Sequence, residues 1–133
     1  MADIKAKAEV LQKEMGSRVE ELQRISKELA KCRDASQKFD TQLQENSVVQ
    51  KELGLLEADG RVFKLMGPVL VPQSLEESKM NVDKRIEYIE TELKRYKEVE
   101  EGLLKKKDTA EEAAIKAQEK LQKLQVEAAA RAK

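Results

Sequence analysis

Apolar side chains recur along the first part of the chain at the alternating three- and four-residue spacing of a heptad. One series is Ala8, Met15, Leu22, Leu29, Ser36, Leu43 and Gln50. Its companion is Ile4, Leu11, Arg18, Ile25, Cys32, Phe39, Asn46 and Leu53. Only Ser36, Gln50, Arg18 and Asn46 break the apolar character, and a seam sustained this long predicts a coiled-coil helix over about residues 3–53. A second seam follows after residue 74. Leu75, Val82, Ile89, Tyr96, Leu103, Ala110, Ala117, Leu124 and Arg131 alternate with Lys79, Ile86, Leu93, Glu100, Lys107, Ala114, Leu121 and Ala128. Ser74 followed by Glu77 is a capping box, so this helix is expected over about residues 74–131.

The stretch between the helices, residues 54–73, holds Gly54, Gly60 and Gly67 and both prolines, Pro68 and Pro72. Val62-Phe63-Lys64-Leu65-Met66 is β-prone. Gly67-Pro68 interrupts it, because glycine tolerates unusual dihedrals and proline fixes φ and has no N–H to donate. Val69-Leu70-Val71 then follows, apolar on both faces. A β-hairpin is predicted, with Pro72 marking a strand end or an edge position.

Two helices that turn back on each other through a hairpin form an antiparallel pair. Levelling Leu53 with Leu75 brings Cys32 near Tyr96, Ile25 near Leu103 and Ile4 near Leu124, with the two chain ends together. Fifty residues of helix span about 75 Å. The seam is expected to be firm toward the hairpin, where Phe39, Leu43, Val82, Ile86, Ile89 and Leu93 meet. It is expected to be looser farther out, where Ala110, Ala114 and Ala117 replace larger side chains and Gly16 and Gly102 lower helix propensity. Asn46, Gln50 and Lys79 make a polar interruption near the hairpin. The whole chain, residues 1–133, is read as a single domain.

A lone two-stranded hairpin is marginal in water, and its edges leave backbone groups unpaired. No third element of this chain can cover it on both faces. The economical solution is a sheet or barrel assembled from the hairpins of several chains. Val62, Phe63, Leu65, Met66, Val69, Leu70 and Val71 are therefore candidate oligomer-interface residues, with Val48, Val49, Leu55 and Leu56 packing against the base.

Composition narrows the function. The 133 residues carry 26 basic and 26 acidic side chains, so sequence-independent binding to nucleic acid or an acidic membrane has no electrostatic support. Charged residues are 39% of the chain and aromatics 3%, which fits a thin solvated helical protein better than a thick-cored globule. Histidine is absent, so neither a Ser-His nor a Cys-His pair is available. There is no glycine-rich phosphate loop and no metal-ligand spacing; no enzyme activity, cofactor or metal is expected. Cys32 cannot form an internal disulfide and reads as a small core side chain. The start lacks the apolar run of a secretion signal, and the chain is expected to be cytoplasmic.

Three segments carry a resemblance. Gln42-Leu43-Gln44-Glu45-Asn46-Ser47-Val48-Val49-Gln50-Lys51-Glu52-Leu53 resembles the end of helix 1 in beta-type prefoldin subunits. Val62 to Val71 resembles that family's hairpin signature. Lys84-Arg85-Ile86-Glu87-Tyr88-Ile89 with Glu92-Leu93-Lys94-Arg95-Tyr96 resembles the following helix, most closely in the subunit 6 branch. Pro72 and Met66 depart from the pattern. The resemblance implies a mainly α fold: a long antiparallel two-helix coiled coil whose helices are joined by a β-hairpin that assembles into an intersubunit β-barrel. It implies a hexamer in which the partners are two alpha-type and three further beta-type prefoldin subunits. It also implies that unfolded client proteins, of the actin and tubulin class, are held without ATP at the coiled-coil tips and passed to the cytosolic chaperonin. No nucleic acid and no membrane enter as partners.

The tip residues that could touch a client are Ile4, Leu11, Met15, Leu121 and Leu124, on the seam, and Val10 and Val126, off it and expected to be exposed. Flexible apolar side chains suit a promiscuous surface. The competing reading is a structural tether or adaptor that dimerises through its heptads and holds no client. The hairpin, which a tether does not need, discriminates between the two.

Overall fold

The computed structural model describes residues 2–132. Helix α1 spans Ala2–Leu55, strand β1 Val62–Met66, strand β2 Val69–Gln73 and helix α2 Leu75–Ala132. The chain is mainly α, with two long helices joined by a two-stranded antiparallel hairpin. It divides into two compact parts, one formed by residues 2–32 with 99–132, the other by residues 33–98.

Neither helical stretch contains a proline, so each can propagate without losing a backbone hydrogen bond. The start of α2 is fixed by Ser74. Its hydroxyl accepts the Glu77 N–H at 3.4 Å, and its carbonyl accepts the Ser78 N–H at 3.0 Å. Glu76 and Glu77 place negative charge on the first turn, where the helix dipole favours it. Helix α1 closes with the Leu56 N–H on the Leu53 carbonyl at 3.3 Å, and a turn in the connection joins Gly60 N–H to Glu57 C=O at 2.8 Å.

In the part formed by residues 2–32 and 99–132, the segments of α1 and α2 run antiparallel. Their core is Ile25, Leu29, Leu103 and Ala110, with Leu22 packed against it. Ile4, Cys32 and Ala117 are also buried. In the alanine seam, expected to be the looser part, Ala110 and Ala117 are buried and Ala114 is half-buried. Ala110 and Ala117, at 1% and 2% exposure, are the most covered apolar side chains described. A methyl group lets two helix backbones approach closely, so its small area is removed from water almost completely. What alanine forgoes in side-chain area it partly recovers in close packing.

In the part formed by residues 33–98, Leu53, Val82 and Ile89 are buried. Phe39 packs against two rings of α2, Tyr96 at 5.9 Å between centroids and Tyr88 edge-on at 6.3 Å. Arg95 lies 4.5 Å over the Tyr96 ring and binds Glu92 through Nε at 3.2 Å and Nη2 at 2.8 Å. The hydrogen bond and charge of Glu92 hold this guanidinium above its ordinary pKa.

The register differs from the expected one by a heptad. Leu53 shares a cleft with Val82 instead of standing level with Leu75. Phe39 meets Tyr96, and Gln50 Nε2 donates to Asp83 Oδ1 at 2.8 Å. Near the chain ends Leu11, not Ile4, shares a groove with Leu124. A slip of seven residues keeps every seam position in phase, which is why the heptad pattern alone could not exclude it. The physical reason lies at the hairpin: only Ser74 separates β2 from α2, so the first turns of α2 are committed to the hairpin junction.

The polar interruption is also arranged differently. Lys79 and Gln50 are exposed, and Asn46 Nδ2 donates back to the Gln42 carbonyl of its own helix at 2.7 Å. Ser78 is the buried polar side chain, its hydroxyl donating to Gln73 Oε1 at 3.3 Å. A serine can be buried once its hydroxyl is satisfied, whereas an unpaired lysine cannot.

Candidate functional site

The hairpin is built around Gly67. Strands β1 and β2 pair antiparallel as Val62↔Gln73, Phe63↔Pro72, Lys64↔Val71, Leu65↔Leu70 and Met66↔Val69. This leaves Gly67-Pro68 as a two-residue connection, with Gly67 at φ 59°. Glycine at the first central position of a hairpin turn is what a II′ geometry demands, and the φ near −65° of proline suits the second. The ladder runs through Pro72 to Gln73, so Pro72 does not end the strand as one expectation had it. In a two-stranded sheet every strand is an edge, where proline is tolerated.

Residues directly opposite in the ladder share a face. Phe63, Leu65, Leu70 and Pro72 therefore lie on one face. Val62, Lys64, Met66, Val69, Val71 and Gln73 lie on the other. The first face has no polar side chain, and the second is polar only at Lys64 and Gln73. Of the seven candidate interface residues only Val62 is partly covered; Phe63, Leu65, Met66, Val69, Leu70 and Val71 are exposed, Leu65 at 69% and Leu70 at 62%. Val48, Val49, Leu55 and Leu56 are exposed as well. Val49 and Leu56 join Val62 and Phe63 around a single cleft, which extends the apolar surface from the hairpin onto the end of α1. Monomeric soluble proteins rarely leave so contiguous an apolar patch uncovered.

A second surface lies where the first turns of α1 meet the last turns of α2. Val10, Leu11 and Leu124 line one apolar groove of about 530 Å³, together with Ala6, Lys7, Lys120, Lys123 and Glu127. The spacing explains the grouping: residues three and four apart stand together on one helix face. Val10 is 65% exposed and Val126 70%. The seven candidate tip residues do not converge on one site. Val126 lies beside a separate shallow pocket with Glu119, Gln122 and Lys123. Ile4 is buried in the seam, and Met15 and Leu121 are half-buried outside the groove. The lysines and Ala6 were missed: Ala6 and Lys7 stand three or four residues from Val10 or Leu11 and Lys120 four from Leu124, but bringing the two sets into one groove depends on the register.

Among the described residues, no cluster of His, Cys, Asp or Glu is placed to hold a metal, and no helix is long and apolar enough to cross a membrane. Cys32 is buried and outside any disulfide.

Comparison with known proteins places this geometry. Prefoldin subunit 6 of Arabidopsis thaliana is 43% identical over 115 residues, covering 86% of this chain and 89% of the relative. Prefoldin subunit 6 of Homo sapiens is 40% identical over 118 residues, covering 89% and 92%. The crystal structure of the prefoldin beta subunit from Thermococcus strain KS-1 superposes with a TM-score of 0.69 at 21% identity, over 80% of this chain and 91% of that one, and so shares the fold. The family model described as prefoldin subunit matches residues 16–128, a span that takes in the hairpin and most of both helices, and the chain therefore belongs to the prefoldin subunit family.

Proposed function

We propose that this chain is a beta-type subunit of a hexameric prefoldin co-chaperone, built with two alpha-type and three further beta-type subunits. The observation that carries the reading is the hairpin: in the single chain its apolar side chains are exposed on both faces. Pairing its edges with neighbouring hairpins satisfies the free backbone groups and covers those faces in one step. A closed β-barrel shared between subunits does both without leaving an edge.

Within that assembly the subunit acts in the cytoplasm by holding. The apolar groove near the chain ends, with Val10, Leu11 and Leu124, supplies contacts for unfolded client proteins of the actin and tubulin class. Ile4, Met15, Leu121 and Val126 reinforce or extend it. Each contact is weak, and several subunits engaging one client raise the effective affinity without ATP or any chemical step. Delivery to the cytosolic chaperonin is then a competition for the same client. No catalytic residue, cofactor or metal has a part in this cycle.

The test is the mass of the complex formed on co-expression with an alpha-type prefoldin subunit, for the native chain and for Phe63→Asp, Val69→Asp. A hexamer-sized species that the double variant abolishes is the expected result. A stable dimer of this chain alone, indifferent to both substitutions, would refute the proposal and leave a coiled-coil tether.

A further inference from the structure

The groove at the chain ends is apolar inside and cationic around it. Lys7, Lys120 and Lys123 all line it. Their methylene stems can lie along apolar surface while the ammonium groups remain in water, which is how three lysines can flank a groove whose interior is carbon. None of the three is in an ion pair among the described residues. Glu127, the acid that lines the groove with them, is already bound by Arg131 Nη2 at 3.0 Å, and Glu119 stands beside Lys123 on the neighbouring pocket. The chain as a whole is neutral, so this local imbalance is a property of the groove and not of the protein.

We infer that the groove selects apolar client segments flanked by acidic residues. The inference rests on the client-holding role proposed above and adds a charge rule to it. A segment with apolar side chains in the groove and Asp or Glu on either side would meet Lys7 from α1 and Lys120 and Lys123 from α2. A segment flanked by Lys or Arg would place like charges opposite each other. Selection works by attraction and by exclusion together. The three ammonium groups are exposed, so each contributes modestly and is screened by salt. That suits a holdase, because the charges bias which segment is held without making release slow.

The test uses the full-length chain and fluorescent peptides sharing one apolar core, flanked by Asp and Glu, by Lys, or by Ser, with binding read by anisotropy. The acid-flanked peptide is expected to bind roughly fivefold to tenfold more tightly than the Lys-flanked one at low salt. The gap should close as salt rises toward about 0.5 M. Lys7→Glu, Lys120→Glu, Lys123→Glu, on exposed positions, should invert the preference while leaving the helical circular dichroism unchanged. Val10→Asp should weaken all three peptides. Equal binding of all flanks, with Val10→Asp still abolishing it, would overturn the charge rule and leave client holding intact. No binding of any peptide would overturn both. An acidic peptide without the apolar core binding equally well would make the groove a general polyanion contact and overturn the rule. Peptide binding lost with rising protein concentration, in step with dimer formation in sedimentation, would make a second copy the occupant and do the same.

Discussion

In the part formed by residues 2–32 and 99–132, the seam side chains are covered between two helices, Ala110 and Ala117 most of all, while Val10, Ile115 and Val126 stay exposed off the seam. In the part formed by residues 33–98, Leu53, Val82 and Ile89 are buried on the seam, but a run of large apolar side chains from Phe63 to Val71 is left in solvent, on a hairpin that no other described element covers. Both parts obey the same heptad. They differ in what the heptad is able to cover. A two-helix seam is self-sufficient along its length, because each helix satisfies its own backbone hydrogen bonds and needs only a partner for one stripe. A two-stranded hairpin has two faces and two open edges, and a coiled coil offers it cover only near its junction with α1 and α2. The first part is thus complete within one chain, and the second calls for other chains. The same contrast separates the two proposed roles, with holding assigned to the first part and assembly to the second.

The largest test of this contrast is Leu29→Ala. Leu29 is buried in an apolar core cluster of the first part, so the substitution should destabilise the chain by about 2–5 kcal/mol in chemical denaturation followed by circular dichroism. An exposed hairpin residue such as Leu65 should behave otherwise. Leu65→Ser should leave the single chain nearly unaffected, within about 0.5 kcal/mol, and act only on assembly.

Ala110→Leu is smaller but more discriminating, because the two views of the alanine seam predict opposite signs. If the seam is loose, a leucine fills it and gains about 2 kcal/mol or more. If the helices are already in close approach, as the 1% exposure of Ala110 indicates, the added carbon forces them apart and costs about 1–3 kcal/mol. Destabilisation is the expected outcome, read from the same denaturation curves.

That sign shows where the fold was legible in the sequence and where it was not. The seam positions were legible: nearly every one is at least partly covered, because a period near 3.5 has only one stripe to bury. The hairpin was legible because Gly67-Pro68 leaves the backbone few alternatives. The register was not, since Leu53 opposite Leu75 and Leu53 opposite Val82 satisfy the same heptad. Nor was the tightness of the alanine seam, which depends on interhelical distance and not on side-chain size alone. At the candidate site, the exposure of Val10 and Val126 followed from their off-seam positions. The grouping of Val10, Leu11 and Leu124 with three lysines did not, because it depends on the register. Ile4, a tip candidate that also occupies a seam position, is buried as the seam position alone predicts.

Gly67→Ala probes the second part at its turn. Alanine at φ 59° suffers the clash between its Cβ and the backbone that a left-handed conformation imposes, about 1–2 kcal/mol. Space is not the obstacle, since nothing lies within 4 Å of the added methyl. The penalty should appear as faster amide exchange confined to the hairpin and as weaker assembly with other prefoldin subunits, with the melting of the helices unchanged.

The smallest effect has the opposite sign. Gly102 lies in α2 within the first part, and a Cβ added there meets no atom within 4 Å. Unlike Gly67 it has no positive φ, so alanine is free of strain. Gly102→Ala should stabilise the chain by about 0.5–1 kcal/mol through helix propensity alone, and Gly16→Ala in α1, equally unobstructed, should do the same. The two sites share no partner in the structure, so their effects should add. Thermal melts of the single and double variants check both the sign and the sum. A loss of stability at either position would mean that the helices come closer there than the open space around each glycine shows. Close helix approach would then extend beyond the alanines, and the first part would be more tightly closed than its burial indicates.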